Sequence, residues 1–400
     1  MANTKEPSAS VGKSIARPGY AAEHDEPNRI SDFEVAASYN WLDEKNPTIL
    51  VPGIPPVWSP PAIAPALKPD YGPQYVDQNT DRNPNSPLDS LILAVQTYQP
   101  DFDFPAVDMV SDRRPLRKLY GFVTGETDAF EFGAEMVGNT ALFVRMEKQT
   151  REELPSTTFH GYRQAFEEQY TKLSASAKGS TSHHRIVRYN FGGFVLLVRS
   201  GADVYLQELV KGQTSLEKPD TEDLLSQVNV FETLSLGSRT ATPTETKEKQ
   251  DGRVTVVQGG QMIPHAAVLE LTTRSKFAKR PFDIEQKMPD LWISQTPNFI
   301  EAYHRSVGYK TYNQPGLQQG KFDDIKVKAI REQLAKWETV NASALGKLAT
   351  VLGQVIEEVK KAQGPCIVRY TGLGDNLRLS TIEALPSLSE DLKSLFHRKE

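Results

Sequence analysis

The chain has 400 residues, enough for two or three average domains or for one large domain. Its net charge of −5 and pI near 5.9 exclude a histone-like or wholly basic nucleic-acid binder, but they permit a local basic groove. The single cysteine, Cys366, excludes an intramolecular disulfide and a multi-cysteine zinc site, and it suits a reducing compartment. No apolar run approaches the roughly 20 residues of a membrane span. We therefore expect an intracellular protein, nuclear or cytoplasmic rather than mitochondrial, with no membrane partner.

The N-terminal part divides into two predicted segments. Residues 1–30 lack the apolar stretch of a secretory signal and are predicted to be a disordered tail. Residues 31–85 are rich in proline yet also apolar, as in TILVPGIPPVWSPPAIAPALKPDYGP. Proline disfavours helix interiors and central strands, while the apolar residues at 49–58 need burial. We predict an extended arm lying over the domain surface; the alternative is a polyproline ligand for a partner's aromatic groove.

Residues 86–400 are predicted to form one α+β domain, with a mixed central sheet, flanking helices and a polar insertion at 211–251. The predicted helices cover 86–98, 112–123, 161–173 and, as one long or two shorter helices, 323–364. Hairpins are predicted at 129–147 and from 365 onwards. Strands are predicted within 184–210, 253–258 and 265–273, and 290–305 reads as a strand followed by a second apolar run.

Acidic residues follow two of the predicted strands. Asp203 comes directly after FVLLVRSGA, and Glu270 lies within AVLELTT. The helix GYRQAFEEQYTKL carries Glu167 before them, and LWISQTPNF carries Gln295 after them. Metal-dependent phosphodiesterases bring such carboxylates together on Mg²⁺, which polarises the phosphate and generates the attacking hydroxide. The alternative is that Asp203 and Glu270 are ordinary strand acids paired with Arg199 or Arg274.

This ordered set resembles the Dxo/Rai-type decapping and exonuclease family, a branch of the PD-(D/E)XK nuclease superfamily. GYRQAFEEQYT is similar to the family's GYKFE-type helix, with an insertion between Tyr162 and Phe166. LVRSGADVYL occupies the place of its Glu-x-Asp strand, LELTT that of its Glu-x-Lys-Thr strand, and LWISQTPNFIEAYH that of its FWxQSF segment. The similarity spans about 160–305. The sequence also resembles a group of filamentous-fungal proteins of about this length.

The resemblance implies a PD-(D/E)XK-like fold, Mg²⁺ or Mn²⁺ as cofactor, and RNA as the bound substrate. It implies metal-ligand and catalytic roles for three carboxylates, and substrate placement by Gln295. These carboxylates are Glu167, Asp203 and Glu270. Two positions depart from the pattern: Gly201 stands where the family has the first glutamate, and Thr272 where it has the lysine. Gly201 removes a metal ligand, and threonine supplies no charge beside the phosphate.

Three further residues are candidates for substrate binding. Arg113 and Arg117 belong to a basic cluster that also contains Arg114 and Lys118, and Trp292 precedes Gln295. The alternative interpretations are a solvated helix face for the arginines and a core position for the tryptophan. We therefore predict a degenerate Dxo/Rai-type protein that binds RNA or cleaves it weakly at the 5′ end as a metal-dependent hydrolase. The alternative is a non-catalytic structural or interaction protein that contacts partner proteins through the arm or the C-terminal helices.

Overall fold

The computed structural model describes residues 13–19, 28–210, 253–280, 282–307, 319–374 and 376–398. The predicted insertion at 211–251 lies outside these residues. The strands, in chain order, are β1 Lys13–Ala16, β2 Ser31–Leu42, β3 Thr48–Val51, β4 Val57–Trp58, β5 Ala66–Leu67, β6 Gly72–Tyr75, β7 Met109–Asp112, β8 Phe130–Val137, β9 Thr140–Arg145, β10 Arg151–Leu154, β11 Thr171–Lys172, β12 Ser180–Phe191, β13 Phe194–Gly201, β14 Val204–Tyr205, β15 Thr255–Gln258, β16 Val268–Ser275, β17 Asn298–Val307, β18 Gln319–Ala329, β19 Cys366–Tyr370 and β20 Asn376–Thr381.

The α-helices of the described residues are α1 Gln78–Arg82, α2 Asp89–Tyr98, α3 Arg113–Thr124, α4 Arg163–Tyr170, α5 Gln207–Val210, α6 Met288–Ser294, α7 Arg331–Val340, α8 Ala342–Ala362 and α9 Glu390–Lys393. None of these helices is long and apolar enough to cross a membrane.

Two large mixed sheets organise the described chain. The larger has the strand order β1-β20-β19-β8-β9-β7-β13-β12-β2-β3-β15, and the smaller has the order β11-β4-β14-β16-β17-β18-β5. Parallel pairs join β7 to β9 and β13, and β16 to β17, while β12 and β13 form an antiparallel hairpin. Strands β6 and β10 form a separate pair. The predicted α+β class, with mixed sheets and flanking helices, is confirmed.

Helix α8 shows how sequence periodicity builds the core. Its buried positions repeat at spacings of three and four residues, which places them on one face. This set includes Leu345, Leu348, Leu352, Val355 and Val359. The face joins α3, α6 and one side of the larger sheet in a single apolar cluster. Burying each leucine or valine contributes about 1.5–3 kcal/mol, so α8 makes a large contribution to the stability of this core.

The proline-rich arm is part of both large sheets. Strand β3 pairs with β2 and β15, β4 pairs with β11 and β14, and β5 pairs with β18. The strands β4 and β5 are short because proline lacks the N–H that a ladder needs. Most of the apolar arm residues that were predicted to need burial are buried, and the last two are half-buried: Ile49, Leu50, Val51, Ile54, Val57 and Trp58.

Three local predictions differ from the structure. Residues 13–16 were predicted to lie in a disordered tail, but they form β1 because Ile15 is buried in the core against β20. The segment after 288 is helix α6 rather than a strand, since Pro289 suits a helix start and Gln295 adopts the left-handed conformation that ends it. Residues 323–329 belong to β18, and the helical pattern begins at Arg331.

Candidate functional site

A cavity of about 470 Å³ opens beside the first turns of α3. Helix α3 begins where β7 ends, so its N-terminus faces the ends of β7 and β13, which run parallel to each other. Four basic residues of α3 line the cavity together with Ser200 and Gly201 at the end of β13. These basic residues are Arg113, Arg114, Arg117 and Lys118. We call this space the α3 cavity; it shares Arg114 and Lys118 with a neighbouring cavity of about 560 Å³.

A buried ion pair fixes the start of α3. Arg199 of β13 is 1% exposed, and it donates to Asp112 through Nε at 2.7 Å and through Nη2 at 3.0 Å. Its Nη1 donates to the hydroxyls of Tyr39 and Ser90 and to a backbone carbonyl. Burial alone would raise the pKa of Asp112, but Arg199 outweighs it and holds the pKa below its usual range. The sequence interpretation that assigned Arg199 to Asp203 or Glu270 was wrong.

Glu270 is bound to Arg113. Strand β16 delivers Glu270 to a buried position, where its Oε1 accepts a hydrogen bond from Arg113 Nη1. Asp290 of α6 lies 3.6 Å from Arg113 Nε and 3.9 Å from Arg117 Nε. Burial raises the pKa of Glu270; Arg113 opposes this shift, while repulsion from Asp203 and Asp290 adds to it. Arg113 lines the α3 cavity and Glu270 does not, so the arginine stands between the carboxylate and the cavity.

Asp203 completes the edge of β16. It precedes β14, whose pairing with β16 covers only Val268 and Leu269, so the backbone of Leu271 is left without a strand partner on this side. Asp203 Oδ2 accepts from Leu271 N at 2.9 Å, and Arg163 Nη1 donates to Leu271 O at 2.7 Å. Arg163 Nη2 also donates to Asp203 Oδ2 at 2.8 Å. Asp203 therefore lies in the short loop between β13 and β14, beside the edge of β16, and Asp203 and Glu270 are each bonded to a different arginine.

Glu167 shares Arg163 with Asp203. Its Oε1 lies 2.8 Å from Arg163 Nε, one helical turn away on α4. Helix α4 packs through Phe166 against Leu269 and Leu271, and side chains alternate along a strand, so α4 lies on the face of β16 opposite to Glu270. The group that links Glu167 to Asp203 is the guanidinium of Arg163.

The protonation of Glu167 gives a first prediction. Burial raises the pKa of Glu167 from 4.5 to about 7, against the opposing effect of Arg163, while Asp203 and Asp70 add to the rise. A raised native pKa means that Glu167 favours folding below pH 4.5 and that this contribution is lost as the pH rises through 7. We expect Glu167→Gln to unfold at a higher temperature than wild type at pH 8, with the difference vanishing at pH 4.5. Thermal unfolding at both pH values tests this, and a difference independent of pH would contradict it.

Gly201 and Thr272 lie in the same neighbourhood. A Cβ atom on Gly201 would meet only His183 O, at 3.8 Å, and the backbone there is not left-handed, so the position has room for a side chain. Thr272 is half-buried on the face of β16 that carries Glu270, directly opposite Glu301 of β17. Glu301 is bound by Lys328 Nζ at 2.6 Å. An acid–lysine pair with a buried glutamate and a half-buried lysine therefore lies one strand away from the position of the absent lysine.

Gln295 and Trp292 do not line the α3 cavity. The side chain of Gln295 turns back to donate to Trp292 O at 2.6 Å at the end of α6. Trp292 is 3% exposed, packs against Phe191 and Trp337, and donates to Glu338 Oε2 at 2.7 Å. The structure therefore places this tryptophan in the core, where it cannot stack on a base.

Three partners at the site had no counterpart in the sequence interpretation: Arg163, Asp290 and Lys328. Of these, only Arg163 could have been recognised from the sequence, because it lies one helical turn before Glu167 and can pair with it. In the described part of the chain, no group of three or more His, Cys, Asp or Glu side chains is arranged to hold a metal ion. The three predicted ligands contact arginines instead, so their present arrangement does not fit a divalent ion.

A family model described as a domain of unknown function, DUF8563, matches residues 19–391. The chain belongs to the DUF8563 family. Comparison of this DUF8563 chain with curated proteins gives no significant match.

Solved structures show which fold this DUF8563 chain has. It is similar to S. pombe Rai1 in complex with 3′-FADP, with a TM-score of 0.54, 13% identity, and coverage of 93% of this chain and 100% of that one. It is also similar to Candida albicans Rai1 in complex with pU5 and Mn²⁺, with a TM-score of 0.52, 11% identity, and coverage of 97% and 99%. For K. lactis Dxo1 in complex with manganese the TM-score is 0.51 and the identity 11%, with coverage of 94% and 100%. The chain thus has the Rai1/Dxo1 fold.

Proposed function

We propose that this protein binds the 5′ end of RNA in the α3 cavity and hydrolyses it very slowly or not at all. The observation that supports this most directly is the cavity itself, where four basic side chains of α3 stand beside the end of β13. Arginine and lysine are the side chains that hold phosphate groups, through charge-assisted hydrogen bonds. Rai1 from Candida albicans binds pU5 on the same fold, which makes RNA the first ligand to test.

Lys118 is the best placed of these side chains to take up a phosphate. The three neighbouring arginines already contact acids: Arg113 contacts Glu270, Arg114 contacts Glu147, and Arg117 contacts Glu126. Within the part of the chain that the structure describes, Lys118 is half-buried in the cavity wall and shows no acidic partner. Binding a phosphate at Lys118 breaks no existing ion pair, whereas binding at the arginines must compete with their carboxylates.

Slow hydrolysis follows from the side chains that surround Asp203 and Glu270. Phosphodiester cleavage develops negative charge, which a metal ion and nearby cations stabilise. Here Gly201 offers no ligand, Thr272 offers no charge, and the carboxylates of Asp203 and Glu270 are bonded to arginines. Among the residues that the structure describes, the site therefore has basic groups that can bind RNA but no assembled group of metal ligands.

Fluorescence anisotropy with a labelled five-uridine RNA tests this proposal. We expect the RNA with a 5′-phosphate to bind more tightly than the same RNA with a 5′-hydroxyl. Lys118→Ala should weaken binding about 3- to 10-fold, and it should lower the slope of log affinity against log salt by about 0.7, the value for one phosphate contact on a single strand.

Lys336→Ala on the exposed face of α7 is the matched control, and it should leave both quantities unchanged. Equal binding of the two RNAs, or equal effects of the two lysine variants, would contradict the assignment. If no RNA binds at all, the non-catalytic interaction protein becomes the better interpretation.

A further inference from the structure

We infer that Arg113 and Arg163 are the resident cations of the carboxylate centre and that they keep divalent metal ions out of it. The centre consists of Asp203, Glu270 and these two arginines. This inference does not depend on RNA binding, because it concerns two ion pairs within the chain, Arg113 with Glu270 and Arg163 with Asp203.

The buried carboxylate of Glu270 is neutralised by Arg113. Glu270 is 9% exposed, and an ionised carboxylate in such a position requires an opposite charge or strong hydrogen bonds. Arg113 supplies both, since its Nη1 is hydrogen-bonded to Glu270 Oε1. Burial alone would lower the pKa of Arg113, but Glu270 and Asp290 raise it, so the guanidinium stays charged. The charge of Glu270 is therefore already balanced from within the chain.

One carboxylate oxygen of Asp203 is already occupied by two hydrogen bonds. Its Oδ2 accepts from both Leu271 N and Arg163 Nη2, at 2.9 and 2.8 Å. A divalent ion that took this oxygen would have to displace hydrogen bonds that replace strand pairing at the edge of β16. Arg163 is held by Leu271 O and Glu167 as well, so its displacement would cost several contacts at once.

The positive charges of the two arginines also repel a divalent ion. A divalent ion bound to Asp203 or Glu270 would lie beside the guanidinium paired with that carboxylate, and like charges repel; the repulsion is strongest beside Arg113 and Glu270, whose side chains are only 23% and 12% exposed. Hard cations also need several oxygen ligands, and Gly201 leaves the neighbouring position without one. The two arginines thus occupy the carboxylate centre of a chain whose fold is similar to that of Candida albicans Rai1, which was solved in complex with pU5 and Mn²⁺.

Manganese titration of the full-length protein, followed by the electron paramagnetic resonance signal of free Mn²⁺, tests the inference. We expect no saturable binding by the wild type. Arg163→Gln and Arg113→Gln should each gain one Mn²⁺ site and show a higher melting temperature with Mn²⁺. Adding Asp203→Asn to Arg163→Gln should abolish the gain. Arg188→Gln, which removes a surface arginine paired with Glu34, is the matched control and should gain nothing.

Two results would overturn the inference. One is stoichiometric Mn²⁺ binding by the wild type that Asp203→Asn abolishes, because the arginines would then not exclude the ion. The other is a failure of both folded arginine variants to bind Mn²⁺, because something other than the arginines would then keep the metal away. The wild-type measurement decides the first point even if a variant does not fold.

Discussion

Replacing Arg199 with methionine should lower the free energy of unfolding by about 3–5 kcal/mol, the usual cost of removing one partner of a buried ion pair. Methionine matches much of the length of the arginine side chain but leaves Asp112, which is 7% exposed, without its two hydrogen bonds. The hydroxyls of Tyr39 and Ser90 lose a donor as well. Urea unfolding followed by circular dichroism measures the change.

The pH dependence of this loss has a definite sign. In the wild type the pKa of Asp112 is lowered, so its contribution to stability is present above pH 3.8 and is lost as the pH falls through the native pKa. In Arg199→Met the carboxyl has lost its cation, and its pKa must rise because burial then dominates. The difference in stability between wild type and variant should therefore shrink at acid pH, where Asp112 can take up a proton.

Arg369→Met provides the matched control for Arg199→Met. Arg369 also forms an ion pair, with Glu131 at 2.8 Å, but its side chain is 57% exposed. Exposed pairs contribute about 0–1 kcal/mol, so this variant should unfold almost as the wild type does. Equal losses in the two arginine variants would show that Arg199 does not fix the start of α3.

The sequence predicts many of the secondary-structure elements, but it does not show which side chains distant in sequence contact each other. Strand β13 and the amphipathic α8 are predictable because their apolar periods are regular, and Glu270 is recognisable because a single acid follows an apolar run. The arginine that binds Glu270 is 157 residues away along the chain, so no local pattern relates the two. The alternative interpretation paired the acids with Arg199 or Arg274, which lie near them in sequence, whereas the fold brings Arg113 to Glu270 through the junction of β7 and α3.

Helix α6 was wrongly predicted as a strand because its sequence fits both structures. LWISQTPNF is apolar and short, so periodicity alone does not separate a buried helix from a buried strand. Pro289 and the left-handed Gln295 decide for the helix, and the helix then turns Trp292 into the core. Trp292 therefore has the core position that was the alternative to its predicted role in substrate binding.

We expect the wild-type protein to cleave 5′-monophosphorylated RNA no faster in Mn²⁺ than its own Asp203→Asn variant does. With Gly201, Thr272 and two arginine-bound carboxylates, this centre has no free carboxylate to bind a metal ion, and its two arginines are already paired. Thr272→Lys alone should remain inactive, because the introduced ammonium lies opposite Glu301 while Asp203 is still held by Arg163. Rapid wild-type cleavage that Asp203→Ala leaves unchanged would show that catalysis takes place elsewhere.

RNA cleavage should appear in a variant that restores the side chains absent at 201 and 272 and also frees Asp203 from its arginine. The triple variant carries Gly201→Glu, Thr272→Lys and Arg163→Gln. A side chain can start at 201 without a clash, since a Cβ atom there meets nothing closer than His183 O at 3.8 Å. The glutamate adds a metal ligand, the lysine adds a cation beside the phosphate, and loss of Arg163 frees Asp203.

One electrostatic group at a transition state changes the rate by about 10²–10³. We therefore expect Mn²⁺-dependent cleavage at least that much faster than wild type, measured by gel electrophoresis of end-labelled RNA. The double variant that keeps Arg163 should stay near the wild-type rate, because the ion pair to Asp203 persists; equal rates for the double and triple variants would show that Arg163 does not close this centre.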